Sequence, residues 1–199
     1  MSMHKKLILS TLLIVLPLCG VWQLGLGTWI HAKAILAQIL LETAWARTLT
    51  TSQEVKPWPW ADTWPVARLE VPRLGIRRIV LAGASGSSLA FGPGHLFGSA
   101  QPDAIGNCVI AGHRDTHFHF LKSLRIGDVI SLQSNQGRVV KYTVDKIRIV
   151  DQSQTELVVN SNHQQLTMIT CYPFNAITPG GPLRFVVIAV PEKNPMKMI

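Results

Sequence analysis

Val66-Ala67-Arg68-Leu69-Glu70-Val71-Pro72-Arg73-Leu74-Gly75-Ile76-Arg77-Arg78-Ile79-Val80-Leu81 places two short apolar runs on either side of Pro72 and Gly75. Pro72 withdraws a backbone donor and Gly75 tolerates a tight turn, so the segment reads as a strand, a turn and a second strand. The pattern recurs downstream. Val109 and Ile110 follow Gly106-Asn107, and further strands are predicted at 129–132, 139–144, 147–150, 166–170 and 183–190. No long helical pattern separates one from the next, so the region from residue 66 onward is predicted to be mainly antiparallel β, a barrel or a sandwich. Residues 87–96 read as a loop with a helical turn, punctuated by Gly92-Pro93-Gly94. Phe118, Leu121 and Leu124 sit three apart ahead of Gly127 and predict another turn. The chain carries no internal repeat and no low-complexity stretch.

Upstream of the strands the chain changes character. After Lys5 and Lys6, no residue from Leu7 to Ile30 carries a full charge. As a helix this run is about 36 Å long, enough to cross a ~30 Å hydrocarbon core. Its length exceeds a signal peptide's apolar region, which favours an uncleaved anchor, and the two lysines at its start favour an N-terminus inside and the remainder exported. From Ala32 to Leu49 the apolar residues Ile35, Leu36, Ile39, Leu40 and Trp45 recur at roughly helical spacing, which predicts a helix resting on the bilayer or on the domain it introduces. Residues 50–65 interleave Trp58, Trp60 and Trp64 with Pro57, Pro59 and Pro65, a linker expected to pack as a strap on the domain. The expected division is thus 1–30 cytoplasmic tip and membrane anchor, 31–65 amphipathic helix and linker, 66–199 the β domain.

Composition excludes several classes. Of 199 residues 47% are hydrophobic and only 15% charged, too apolar for a disordered or solvating segment. The net charge of +8 is spread thinly, and neither a zinc finger nor a glycine-rich phosphate loop is present, so no nucleic-acid partner is expected.

Three side chains carry candidate chemistry. Cys171 closes the run Leu166-Thr167-Met168-Ile169-Thr170 and precedes Tyr172-Pro173-Phe174, so it occupies a strand end, a rigid perch with an open side that suits a nucleophile. His113, in Ala111-Gly112-His113-Arg114-Asp115, stands at the rim of another strand, and an imidazole and a thiol there can share a proton. Arg184 opens an apolar strand after Gly180-Gly181-Pro182, where a guanidinium suits a carbonyl oxygen or a salt bridge. Cys108 begins an apolar strand and reads as a core residue, and Cys19 as a filler in the membrane span; an oxidising compartment would also permit a Cys108–Cys171 disulfide. His113, Asp115, His117 and His119 alternate, so on an extended strand all four would share a face, an alternative metal site. Asp115 could instead orient His113.

Taken together, these motifs resemble those of the sortases, in particular the class GN sortases of marine and other proteobacteria. The likeness runs from about Ala67 to Val190. It rests on Ala67-Arg68-Leu69-Glu70-Val71-Pro72-Arg73-Leu74-Gly75-Ile76, Gly92-Pro93-Gly94-His95, Gly106-Asn107-Cys108-Val109-Ile110-Ala111-Gly112-His113-Arg114-Asp115, Leu166-Thr167-Met168-Ile169-Thr170-Cys171 and Arg184. The resemblance implies an eight-stranded β-barrel and a cysteine transpeptidase with Cys171 as nucleophile, His113 as acid and base, and Arg184 steadying substrate and oxyanion. It puts Thr170 beside the oxyanion, and His95 is a further candidate for the substrate side, with a structural place as its alternative. The implied partners are an exported protein with an LPxTG-like C-terminal signal and an amine acceptor, with no metal or other cofactor. The membrane is contacted through residues 7–30, and the expected setting is the inner membrane of a Gram-negative bacterium with the catalytic domain in the periplasm. Hydrolysis in place of transfer and a non-catalytic binding module are the competing readings.

Overall fold

A computed structural model describes the backbone of residues 3–154, 161, 163–178 and 180–192, with side chains from residue 11 onward except Ile30. The chain divides into two compact units, Met1–Ile39 and Leu40–Ile199. Helix α1 (Met3–Thr51) makes up the first and opens the second. It continues through residues 31 and 32 because neither Gly nor Pro occurs between residues 28 and 51 and alanine recurs there. In the first unit Leu12, Leu13, Leu16, Val21 and Trp22 stand exposed, and the helix is long and apolar enough to cross a membrane.

In the second unit the closing turns of α1 are part of the folded domain. Leu41, Trp45 and Leu49 recur every four residues, so one helix face presents all three, and they pack with Ile79, Leu81 and Phe91. Arg68 lies 5.6 Å over the Trp45 ring and pairs with Glu42 at 2.8 Å. Of the two resting places open to the 32–49 segment, the turns from Leu40 onward take the domain. Trp45→Ala empties a fully buried site and is expected to destabilise the domain by about 3–5 kcal/mol. Urea denaturation measures it, and a loss under about 1 kcal/mol would mean that the domain does not depend on this face.

The barrel comprises β1 (Pro65–Val71), β2 (Ile76–Ala82), β3 (Gly94–His95), β4 (Asn107–Ala111), β5 (Val129–Ser134), β6 (Val139–Asp151), β7 (Gln165–Cys171) and β8 (Leu183–Pro191). The strands close in the order β1-β2-β3-β4-β7-β8-β6-β5. All pairings are antiparallel except β2–β3 and β4–β7. Side chains alternate across each strand, and Leu69, Val71, Ile110, Ile130, Leu132, Leu166, Met168 and Val187 fill the interior. Phe118 and Leu121, at the predicted turn that here is a short 3-10 helix (His119–Ser123), join the same core.

Two strands depart from the sequence reading. The strands expected at 139–144 and 147–150 form the single strand β6, whose pairing with β8 shifts register between Val144 and Lys146. An added residue there is absorbed as a bulge, so the break in apolar pattern does not end the strand. β3 lies inside the expected loop. Two residues give no periodic signal, and their place depends on a close approach that only glycine permits: a Cβ on Gly94 would come within 2.1 Å of the Gly83 carbonyl oxygen. The helical turn expected nearby is α2 (Gly86–Leu89). The Trp/Pro strap is tied down at both ends of its aromatic run. Trp58 meets Phe91 edge-on at 4.9 Å, and the Ala82 N–H donates to the Trp64 carbonyl at 2.8 Å.

Candidate active site

The strand order sets β4, β7 and β8 side by side, so the end of β4, the end of β7 and the start of β8 meet at one rim. β4 and β7 run parallel with Ala111 beside Ile169. The Gly112 N–H donates to the Ile169 carbonyl at 3.1 Å, and the Thr170 hydroxyl donates to the Gly112 carbonyl at 2.7 Å. His113 therefore leaves β4 level with the end of β7. Gly112 has to be glycine, because a Cβ there would meet the Phe118 ring at 2.7 Å.

Cys171, half-buried, ends β7 directly opposite Arg184 on β8. The neighbouring pair, Tyr172 and Leu183, is joined by a hydrogen bond of 3.0 Å from the Tyr172 N–H. Hydrogen-bonded and non-bonded pairs alternate along an antiparallel ladder, so Cys171 and Arg184 form a non-bonded pair, the kind whose side chains approach most closely. The Arg184 guanidinium donates to the Gln152 side-chain oxygen at 2.7 Å and to the Gly181 and Leu183 carbonyls. It is thereby anchored on the rim, close to Asp151, whose carboxyl is held below the usual range by two hydrogen bonds from Ser153 and, to a smaller degree, by Arg184.

The other candidates occupy different surroundings. Cys108 is 1% exposed, and burial pushes its thiol up to about 12, so it stays a core thiol; all three cysteines are free. His95 is buried in β3 with Nε2 2.9 Å from the Ala100 carbonyl oxygen, and burial lowers its pKa. Thr170 is equally buried, its hydroxyl committed to Gly112.

The alternating His113, Asp115, His117 and His119 set requires an extended strand, and the chain after Ala111 instead makes turns and the 3-10 helix. Three of the four side chains take other partners: Asp115 accepts from Arg114 at both oxygens, His117 turns to the Ala90 carbonyl, and His119 accepts from Lys122. Among the described residues no group of three His, Cys, Asp or Glu side chains is placed to hold a metal ion. The same bonds leave no Asp115 oxygen without Arg114, so the carboxylate's direct partner is Arg114, and His113 acts on it through space.

Two features of the site carry only a faint signal in sequence. Tyr172, Phe174 and Phe185 form an aromatic cluster beside Cys171, with Tyr172 stacked on Phe185 at 6.2 Å and Phe174 edge-on to Phe185 at 5.1 Å. Arg114 is the second. It lies between His113 and Asp115, its side chain only 6% exposed.

Comparison with known proteins adds the family. The Sortase domain profile matches residues 69–192. Sortase D of Bacillus subtilis (strain 168) is 32% identical over 120 residues, 60% of this chain and 60% of that protein. Sortase A from Corynebacterium diphtheriae superposes with a TM-score of 0.60 at 29% identity, covering 69% of this chain and 65% of that one. Sortase C-1 from Actinomyces oris superposes with a TM-score of 0.58 at 28% identity, covering 65% and 74%. The chain thus spans 60% of the length of the Bacillus relative and 65% of the Corynebacterium structure.

Proposed function

This chain belongs to the sortase family, and we propose that it is a membrane-anchored cysteine transpeptidase acting on exported proteins that carry an LPxTG-like C-terminal signal. The observation that carries the reading is the register that sets Cys171 opposite Arg184 while His113 leaves the adjoining strand at the same level. In the proposed reaction the Cys171 sulfur attacks the threonine carbonyl carbon of the signal, and the threonine–glycine bond breaks as a thioester forms. His113 takes the thiol proton and gives it to the departing glycine amine, then accepts one from the incoming amine that attacks the thioester and returns it to the released Cys171 sulfur. Arg184 steadies the substrate and the oxygen on which negative charge develops. Thr170 and His95 fit supporting places here, since both are buried and hydrogen-bonded within the fold.

The finer assignments belong to the same proposal. Tyr172-Pro173-Phe174 after the cysteine supports a place in class GN. Lys5 and Lys6 ahead of the apolar helix support a cytoplasmic N-terminus, with the anchor over residues 7–30 in the inner membrane and the catalytic domain over 66–199 in the periplasm, joined by residues 31–65. No metal or cofactor takes part in the proposed chemistry.

The test incubates the full-length chain in detergent with an LPxTG-like peptide library and a panel of amines. An amine-linked product lacking the residues after threonine is expected. Release of the free acid alone, with every amine in excess, would make the protein a hydrolase, and an unchanged library would remove the enzymatic reading in favour of a binding module.

A further inference from the structure

We propose that Arg114 is a positioning residue for the reaction, clamping the loop that follows Cys171 onto the turn that carries His113. The inference rests on the acyl-transfer reading above. Its geometric basis is a single planar group that touches both halves of the site. Nη1 of Arg114 donates to the Pro173 carbonyl at 2.8 Å, and Nη2 donates to the Ala176 carbonyl at 2.9 Å. Those carbonyls lie two and five residues beyond Cys171, while Arg114 itself directly follows His113. Nε and Nη2 are held from the other side by the two oxygens of Asp115 at 2.7 and 2.9 Å.

The cost of this arrangement argues that it is used. A guanidinium withdrawn from water is destabilising unless its donors are satisfied, and here the compensating carboxylate is 65% exposed while the arginine is 6% exposed. A surface pair of the same two residues would hold the charge more cheaply in water. What burial adds is the two loop carbonyls. The hydrogen bond that the guanidinium donates to Asp115 holds it protonated against the opposing effect of burial, and the nearby Cys171 sulfur contributes in the same direction. Arg114 is therefore within electrostatic reach of the nucleophile as well as bonded to its loop. Tyr172 and Phe174 seat the loop against Phe185, and its exposed residues apart from Pro173 follow Phe174. Ile177 is fully exposed, and the Ala176 N–H reaches the Pro173 carbonyl only at 3.3 Å. A lysine cannot replace the fork, since one ammonium does not span a carboxylate and two divergent carbonyls.

The experiment compares Arg114→Ala, Arg114→Lys and, as a control, Arg138→Ala. Arg138 pairs with Asp103 at 2.7 Å ahead of β4, at the end away from His113. Two quantities are read on full-length protein whose melting remains cooperative: steady-state kinetics with a sorting peptide and an amine, and hydrogen exchange at the Tyr172 and Ala176 amides. Both Arg114 variants are expected to lower kcat about 100-fold with KM changed by less than about threefold, and to exchange faster at those two amides. Arg138→Ala is expected to match the wild type in both. A kcat per folded molecule within about threefold of wild type in both Arg114 variants, or unchanged exchange at Tyr172 and Ala176, would overturn the proposal. The lysine variant keeps the charge and so keeps the test open if the alanine variant fails to fold. A wild-type protein that turns over no peptide would remove the acyl-transfer reading and the proposal with it, whereas wild-type turnover with unaffected Arg114 variants sinks the clamp alone.

Discussion

Cys171→Ala is expected to reduce acyl transfer by at least about 10⁴-fold while leaving the thermal midpoint of the domain close to that of the wild type. The size of the loss follows from the absence of a substitute. Cys108 is sealed in the barrel with its thiol pushed up to about 12, and Cys19 belongs to the other unit, on the apolar part of α1. The mildness of the structural effect follows from position. Cys171 ends β7 and is half-buried, so removing its sulfur opens no enclosed cavity. Peptide cleavage and amine-product formation measure the first part, and a thermal melt the second. A variant that keeps a tenth of wild-type turnover would show that another group performs the attack.

His113→Ala is expected to cost about 10²–10⁴-fold in both half-reactions, because in the proposed reaction one imidazole serves the departing amine and the arriving one. Its neighbours are poorly placed to take over. His117 is turned toward Ala90 and its pKa is lowered by burial, and His119 is engaged by Lys122. Asp115 is held in its ionised form by Arg114 and has no proton to give. Pre-steady-state release of the glycine fragment reports the first half-reaction, and the dependence of product formation on amine reports the second. Unimpaired release of the fragment would assign the acid to a different side chain.

The legible parts of this protein are those in which a local pattern suffices. β1, β2 and β8 are apolar runs bounded by Pro or Gly and β7 is one closed by Pro173, and each lies within a residue or two of its sequence-based limits. β3 is invisible because two residues have no period and are held by the bare backbone of Gly83 and Gly94. Of the helical face read over 32–49, Trp45 packs on the domain, but beside Leu41 and against Ile79 and Leu81, while Ile35, Leu36 and Ile39 stand exposed; lipid and protein reward the same side chains, so the pattern alone does not choose between them. The site divides the same way. Cys171, His113 and Arg184 each stand out where a strand meets a turn, yet their adjacency depends on the parallel pairing of β4 with β7, which no local stretch encodes. Arg114 lies further from reach. An arginine between histidine and aspartate reads as a solvated charge until the carbonyls of Pro173 and Ala176, 59 and 62 positions away, close over it.

The most direct measurement is the intact mass of the full-length protein after brief exposure to an LPxTG-like peptide without amine, followed by digestion to locate the added group. The account predicts a mass increase equal to the peptide ending at its threonine less one water, carried on the fragment containing Cys171, discharged by an added amine and absent from Cys171→Ala. An acyl group on any other residue, or amine-linked product formed with no Cys171 adduct under single-turnover conditions, would contradict it.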